Sequence, residues 1–253
     1  MSQSLDRALD ALDAVAAADG PLPAKALARR LGCGLSTVYE LLGALAERGH
    51  VVRTSAGYAL GPRVPVLHRA FQRQTRTDDA LHELLLRARR AVGADTYYSS
   101  YLGGDIAVLA TAAHRSPATG GFTVGRDEAA HATAHGKVLL SALPRAARQR
   151  YLAQAGMRAI TPRTVTSPEQ LDAQLLRVRR EGVAVEIEEC APGVACVAVP
   201  VPVPGGARTA VSAALPLEDF RRHRTRLTRT LRQVAAEAAR LTADGAHGAA
   251  TAH

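Results

Sequence analysis

The stretch that decides the fold runs from Leu22 to Arg53 and reads LPAKALARRLGCGLSTVYELLGALAERGHVVR. Ala24 to Leu31 forms a short helix with Ala28 and Leu31 inward, and Gly32-Cys33-Gly34 supplies a sharp turn. A second helix begins near Ser36 and sets Val38, Leu41, Leu42 and Leu45 on one stripe of a 3.6-residue period. Gly49 ends it, because glycine takes the left-handed cap without a Cβ penalty. His50 to Arg53 and Tyr58 to Leu60 then flank Thr54 to Gly57 as a small β-hairpin.

Upstream, Leu5, Ala8, Leu9, Leu12, Val15 and Ala16 fall on one helical face after Ser4 as N-cap, and Asp19-Gly20-Pro21 stops that helix. Helix, helix, tight turn, helix, hairpin is the order of a winged helix-turn-helix. In that motif the third helix enters the major groove and its N-terminal residues reach base edges. The candidates there are Ser36, Thr37 and Tyr39, which carry hydrogen-bonding hydroxyls. Lys25 and Arg53, with Arg29 and Arg30, are placed to meet phosphates. Against this, the head is electrically balanced through Pro62: Arg7, Lys25, Arg29, Arg30, Arg48 and Arg53 face Asp6, Asp10, Asp13, Asp19, Glu40 and Glu47. A winged helix used for protein contacts is the competing reading.

Downstream, residues 62–76 read as a connecting helix. Thr77-Asp78-Asp79 caps an amphipathic helix carrying Leu81, Leu84, Leu85, Ala88 and Val92. The period then changes to two, with TYYSSYL and DIAVLAT on either side of Gly103-Gly104. A helical stretch runs from near Ala132 to Leu143, and Ser167-Pro168-Glu169-Gln170 caps another helix. Two strands, Cys196 to Val203 and Arg208 to Leu215, flank Pro204-Gly205-Gly206, and a final helix buries Phe220, Leu227, Leu231, Val234, Ala238 and Leu241. The fold class expected is α+β: residues 1–61 a winged helix-turn-helix, residues 77–242 a helix-and-sheet domain, and residues 243–253 a disordered tail.

The 253 residues are 47% apolar and 22% charged, which excludes wholesale disorder. The net charge of +9 suits a polyanionic partner, yet all basic residues except Lys25 and Lys137 are arginine, a bias that extends over the whole chain. Three cysteines make no disulfide framework, and neither a signal peptide nor a membrane span is legible, so a cytoplasmic protein without membrane contact is expected. No nucleophile elbow, P-loop or dinucleotide fingerprint appears, and no metal-ligand spacing. No cofactor, metal or catalytic residue is therefore expected, although Cys196, His135 and Glu186 are the residue types of a nucleophile, base and orienter.

The Leu22 to Arg53 stretch resembles the heads of the IclR-type transcriptional regulators. HATAHGKVLLSALP (His131 to Pro144) and GVAVEIEECAPGVACVAVPV (Gly182 to Val201) resemble two later motifs of that family, in its order and spacing. The resemblance implies a DNA-reading head and a GAF-like effector domain that binds small organic molecules. It also implies a dimer or tetramer on a palindromic double-stranded DNA operator. It places the effector among Ala134, His135, Gly136, Glu186, Cys196 and Ser212, with backbone N–H groups of the first three holding a carboxylate. Glu186 stands where aspartate is commoner, His135 where a small or aliphatic residue is usual, and Ala214 where a second serine sits. These departures point to an effector unlike a simple keto acid, carboxylated or hydroxylated. Strand alternation groups Ala184, Glu186 and Glu188 opposite Val183, Val185 and Ile187, which keeps Glu186 out of the apolar core. The alternatives are a constitutive DNA-binding protein whose second domain only oligomerises, and a redox sensor built on Cys190 and Cys196.

Overall fold

Helix α2 (Ala24–Leu31) stops at Gly32, whose φ of 60° lets its N–H turn back to the Ala28 carbonyl. The chain re-enters helix at α3 (Leu35–Glu47) through an extended Gly34. The computed structural model describes residues 3–75, 77, 79–113, 122–202 and 208–248. Contacts divide it into two units between Gln74 and Thr75.

In the first unit α1 (Gln3–Ala16) packs on α2 and α3 around Ala11, Val15, Leu27, Val38, Leu42 and Leu45. Strands β1 (Val51–Thr54) and β2 (Gly57–Leu60) pair antiparallel as the wing. Leu22 and Tyr58 exchange two backbone hydrogen bonds of 2.8 and 2.9 Å, which ties the wing to the entry of α2. Gly57 is required at that crossing, because a Cβ there would lie 2.6 Å from the Leu22 carbonyl. The expected stripe on α1 is corrected at its start: Leu5 and Leu9 are exposed, and the buried face is carried by Ala11 and Val15. Leucines one turn apart satisfy a helical period, but no element of this unit covers them. Helix α4 (Arg63–Thr75) closes the unit and buries none of its residues.

The second unit is built on a six-stranded antiparallel sheet of order β5-β4-β3-β8-β7-β6. Its strands are β3 (Asp95–Leu102), β4 (Asp105–Ala112), β5 (Gly125–Arg126), β6 (Ala184–Ile187), β7 (Val194–Pro200) and β8 (Thr209–Pro216). Gly103 and Gly104, at φ 62° and 104°, make the β3–β4 turn. Helices α5 (Asp79–Val92) and α9 (Leu217–Gly248) pack together and against the sheet through Leu81, Leu84, Leu85, Phe220, Leu227 and Leu231. Helices α6 (Ala134–Ala142) and α8 (Pro168–Glu181) pack together, and α6 lies on strands β3, β6, β7 and β8. Their cluster joins Val138, Leu139, Leu175 and Val178 to Tyr97, Cys196, Ala198 and Ala214. Ser167 caps α8 by accepting from the Gln170 N–H.

Four expectations need adjustment. The helix expected from Ala132 is broken: a 3-10 turn (Ala130–Ala132) precedes an extended Thr133, whose hydroxyl accepts from the Gly136 N–H and starts α6 afresh. Helix α7 (Arg145–Ala155) has no counterpart in the sequence reading, because only Tyr151 is buried and its pattern shows little periodicity. The last helix runs to Gly248, so the expected tail begins late; residues 249–253, like Asp78 and Pro204 to Gly206, lie outside the described residues. Glu186 is inside the core rather than outside it, at 1% exposure. On this edge strand the covered face is the one turned to α6, and the valines and isoleucine of the other face stay partly exposed.

Gly136 lets α6 approach the 3-10 turn, since a Cβ would fall 2.1 Å from the Ala130 oxygen. Gly136→Ala is expected to destabilise the second unit by about 1–3 kcal/mol or more, read as a lowered thermal midpoint. Gly43 meets nothing on the exposed face of α3. Gly43→Ala should therefore stabilise the first unit by up to about 1 kcal/mol through helix propensity alone.

Candidate functional site

Two surfaces concentrate the expected functional residues, one in each unit. In the first, α3 has no side-chain cap, and its first intrahelical bond runs from Val38 N–H to Gly34 O at 3.2 Å. The N–H groups of Leu35, Ser36 and Thr37 thus form an open helix N-terminus of the kind that favours phosphate. Val38 and Leu42 anchor the helix in the core, which turns Ser36 and Tyr39 to solvent and leaves Thr37 half-buried. Lys25, Arg29 and Arg53 are exposed. Arg30 is held differently, donating to the Ala14 carbonyl at 3.1 Å.

In the second unit the sheet registers bring distant residues into rows. Glu186 stands opposite Cys196, which stands opposite Ala214; Ala198 stands opposite Ser212, which stands opposite Tyr97. Directly paired residues share a face, so Glu186, Cys196, Ser212 and Tyr97 all lie on the face that α6 covers. Ala134, His135, Glu186, Cys196 and Ser212 are each no more than 2% exposed.

The entry of α6 is fixed by a buried carboxylate. Asp127 accepts from Ala129 N–H at 2.8 Å and from the Thr133 hydroxyl at 2.8 Å, and His135 Nε2 lies 2.8 Å from its Oδ2. Burial alone raises the Asp127 pKa, but His135 and the other donors outweigh it and hold the carboxyl below its ordinary range. Tyr151 donates to the Asp127 carbonyl at 3.1 Å. The Gly136 N–H is already spent on the Thr133 hydroxyl at 3.1 Å, which corrects the expectation that it faces a ligand. The N–H groups of Ala134 and His135 have no acceptor among the described residues. Phe122 stands edge-on to His135, with ring centres 5.0 Å apart, and edge-on to Tyr97 at 5.2 Å.

Behind the sheet row, Glu186 Oε2 accepts from the Glu189 N–H at 2.9 Å, and the Glu189 carboxylate is ion-paired with the buried Lys137. Burial pushes the Glu186 carboxyl up, only partly offset by the Cys196 thiol and the Glu189 N–H. Glu188 turns the chain out of β6 with φ 59°, the left-handed conformation, and so ends the strand alternation. Six buried polar atoms of this region have no aligned hydrogen-bond partner among the described residues: Tyr97 Oη, Ser99 Oγ, His135 Nδ1 and Nε2, Glu186 Oε1 and Ser212 Oγ, the approach of Nε2 to Asp127 lying off the line of a hydrogen bond.

The surroundings of Cys190 and Cys196 disfavour their thiolates. Burial and the carboxylates of Glu186 and its neighbours push Cys190 up to about 12 and Cys196 well above the usual range. A nucleophile or redox switch needs the thiolate, and the Nε2 of His135 is turned to Asp127 rather than to sulfur. Among the described residues no three His, Cys, Asp or Glu side chains are grouped to hold a metal, and no helix is long and apolar enough to cross a membrane. The sequence reading did not single out Asp127, Thr133, Phe122, Ser99 or the Lys137–Glu189 pair for roles in the site. Only Lys137, one of two lysines in the chain, carried a compositional signal.

The chain matches the model of the IclR helix-turn-helix domain over residues 4–55 and that of the bacterial transcriptional regulator IclR C-terminal domain over residues 76–240. It is 32% identical over 218 residues to the HTH-type transcriptional regulator BhcR of Paracoccus denitrificans, covering 85% of this chain and 77% of that protein. A transcriptional regulator from Rhodococcus sp. RHA1 superposes with a TM-score of 0.78 at 27% identity, over 96% of this chain and 99% of that one. An IclR homologue from Microbacterium hydrocarbonoxydans, crystallised with 4-hydroxybenzoate, has the same fold at a TM-score of 0.78 and 20% identity, over 94% and 98% of the two chains. The family and these named relatives are regulators of transcription and not enzymes. The two domain matches and the likeness to BhcR establish that the chain belongs to the IclR family of DNA-binding transcriptional regulators.

Proposed function

We propose that this regulator binds a palindromic operator as a dimer or tetramer, and that a small organic effector bound between α6 and the sheet changes its operator affinity. The observation that carries the reading is the gathering of six buried polar atoms, without aligned partners among the described residues, on α6 and on the sheet face it covers. Such atoms cost about 1–3 kcal/mol each when left unmade, so a fold that gathers them is one that a polar ligand stabilises. Glu186, Ser212, Cys196 and Tyr97 would line that ligand, with the N–H groups of Ala134 and His135 at one end. Hydroxylated acids such as 4-hydroxybenzoate, the compound held by the Microbacterium homologue, are the first class to test.

On the operator, Ser36, Thr37 and Tyr39 would face base edges, while Lys25 and Arg53 would meet phosphates. The exposed Leu5 and Leu9 of α1 and Val66 and Leu67 of α4 offer the apolar surface that a second copy would cover. Work on chromosomal DNA sets the protein in the cytoplasm, and effector binding and operator binding must oppose or favour each other reciprocally, typically by about 1–3 kcal/mol.

Three outcomes are expected. In gel-shift titrations with genomic fragments, Thr37→Ala with Tyr39→Ala should weaken specific binding by roughly thirtyfold or more, for about 1–3 kcal/mol at each of the two lost base contacts. Binding unchanged by both substitutions would remove α3 from the groove. A thermal shift produced by a hydroxylated acid should vanish in Glu186→Gln, and its persistence there would move the effector elsewhere. Asp127 has a folded pKa below its ordinary 3.8, so the stability it contributes is present at neutral pH and lost as the pH falls through the lowered value. Acid unfolding of Asp127→Asn should accordingly show a flatter loss of stability below about pH 4 than the parent protein.

A further inference from the structure

We infer that the arginine face of α9 is a second contact surface for duplex DNA, one that grips the phosphate backbone without reading bases. The surface belongs to the second unit and is separate from the α3 entry. Between Phe220 and Ala236 the chain carries six arginines, at 221, 222, 224, 226, 229 and 232, and no acid. The whole chain has a net charge of +9 and the head is electrically balanced through Pro62, so the excess lies beyond the helix-turn-helix and its wing. A compositional preference for arginine decides which basic residue is used; it does not decide where acids are missing.

Phe220, Leu227, Leu231 and Val234 are buried on one side of α9, which turns the other side outward, and all six arginines are exposed. The acids near them are already paired: Glu218 with Arg221 at 2.9 Å, Glu181 with Arg180 at 3.2 Å and Glu237 with Arg87 at 2.6 Å. Arg226 and Arg232 each donate to one backbone carbonyl, that of Ala91 at 3.3 Å and that of Glu181 at 3.1 Å, and keep their charge. Arg222, Arg224 and Arg229 have no ion-pair partner among the described residues. Arg224, Arg229 and Arg232 wall a groove of about 670 Å³ together with Thr225, Gln233 and Val183, and no carboxylate lines it. An adjoining cavity shares Arg224 and Val183 and adds Arg177.

The length of the stripe selects the occupant. From Arg222 to Arg232 the helix rises about 15 Å, and a duplex presents about nine phosphate charges over that distance. A small anion would draw two or three guanidinium groups to one point, whereas six along a helix match a line of phosphates, whose oxygens suit the guanidinium fork. The chain belongs to a DNA-binding family, so duplex DNA is the polyanion it meets.

The test measures binding of the full-length protein to a long duplex of unrelated sequence over a salt series, by fluorescence anisotropy. In Arg222→Gln/Arg224→Gln/Arg229→Gln the slope of log affinity against log salt should flatten by about 2–3, near 0.9 for each phosphate released. Over a fourfold rise in salt the parent should then lose roughly fortyfold more affinity than the variant. Arg145→Gln/Arg150→Gln/Arg158→Gln removes the same charge from exposed sites elsewhere in the second unit and should stay close to the parent's slope, as should Arg222→Lys/Arg224→Lys/Arg229→Lys. Thermal midpoints should be alike, since none of these side chains is buried. An α9 glutamine variant with the parent's slope, or a control that flattens it equally, overturns the inference. So does a thermal shift with inorganic phosphate that the α9 glutamines abolish while the DNA slope stays put, because the groove is then a free-anion site. The preference for operator over unrelated duplex should survive the α9 glutamines; its loss through Thr37→Ala with Tyr39→Ala reports on the head alone.

Discussion

Asp127 is the group on which the geometry of the second unit turns. Its carboxylate collects a backbone N–H, a threonine hydroxyl and an imidazole in a space closed to water. A buried anion is tolerated only when its lone pairs are filled. Those donors fix where the 3-10 turn ends, where Thr133 caps α6, and which way His135 points. The absence of a Cβ at Gly136 then permits the turn and the helix to touch. Without that close approach, α6 could not present its first turn beside the inner face of the sheet.

The sheet supplies the opposite wall by arithmetic rather than by contact. Antiparallel pairing sets Glu186, Cys196 and Ala214 in one row and Ala198, Ser212 and Tyr97 in another, all on one face. The α5 side of the core holds its Thr96 hydroxyl on the Leu85 carbonyl, whereas the α6 side gathers several polar groups without partners among the described residues. Stability is given up there, because unpaired buried hydroxyls and a desolvated carboxylate are unfavourable. Under the proposed function, a ligand that completed their hydrogen bonds would restore it, which is the free-energy difference a responsive regulator needs between its two states.

Much of the architecture was legible in residues 22–53 and in the glycine and proline punctuation that follows. The turn at Gly32, the stop at Gly49, the hairpin at Gly103-Gly104 and the cap at Ser167 depend on interactions within a few residues, and each is where local chemistry puts it. The α1 stripe, helix α7 and the burial of Glu186 were misread for a shared reason. Periodicity states that a face exists, whereas the neighbour that covers it comes from elsewhere in the chain.

The sequence alone determined most of the order of elements and the helix-turn-helix head, and it pointed to Glu186, Cys196 and Ser212, which lie on one face of the sheet, because spacing and turn chemistry are properties of the chain. Only the tertiary structure decided what those residues meet. It joined Asp127 to His135, Phe122 to Tyr97 and Lys137 to Glu189, and it put the Glu186 carboxylate inside the core. Pairings across the sheet and between a loop and a helix bring together groups far apart in sequence, and no local period encodes which of them will share one buried space.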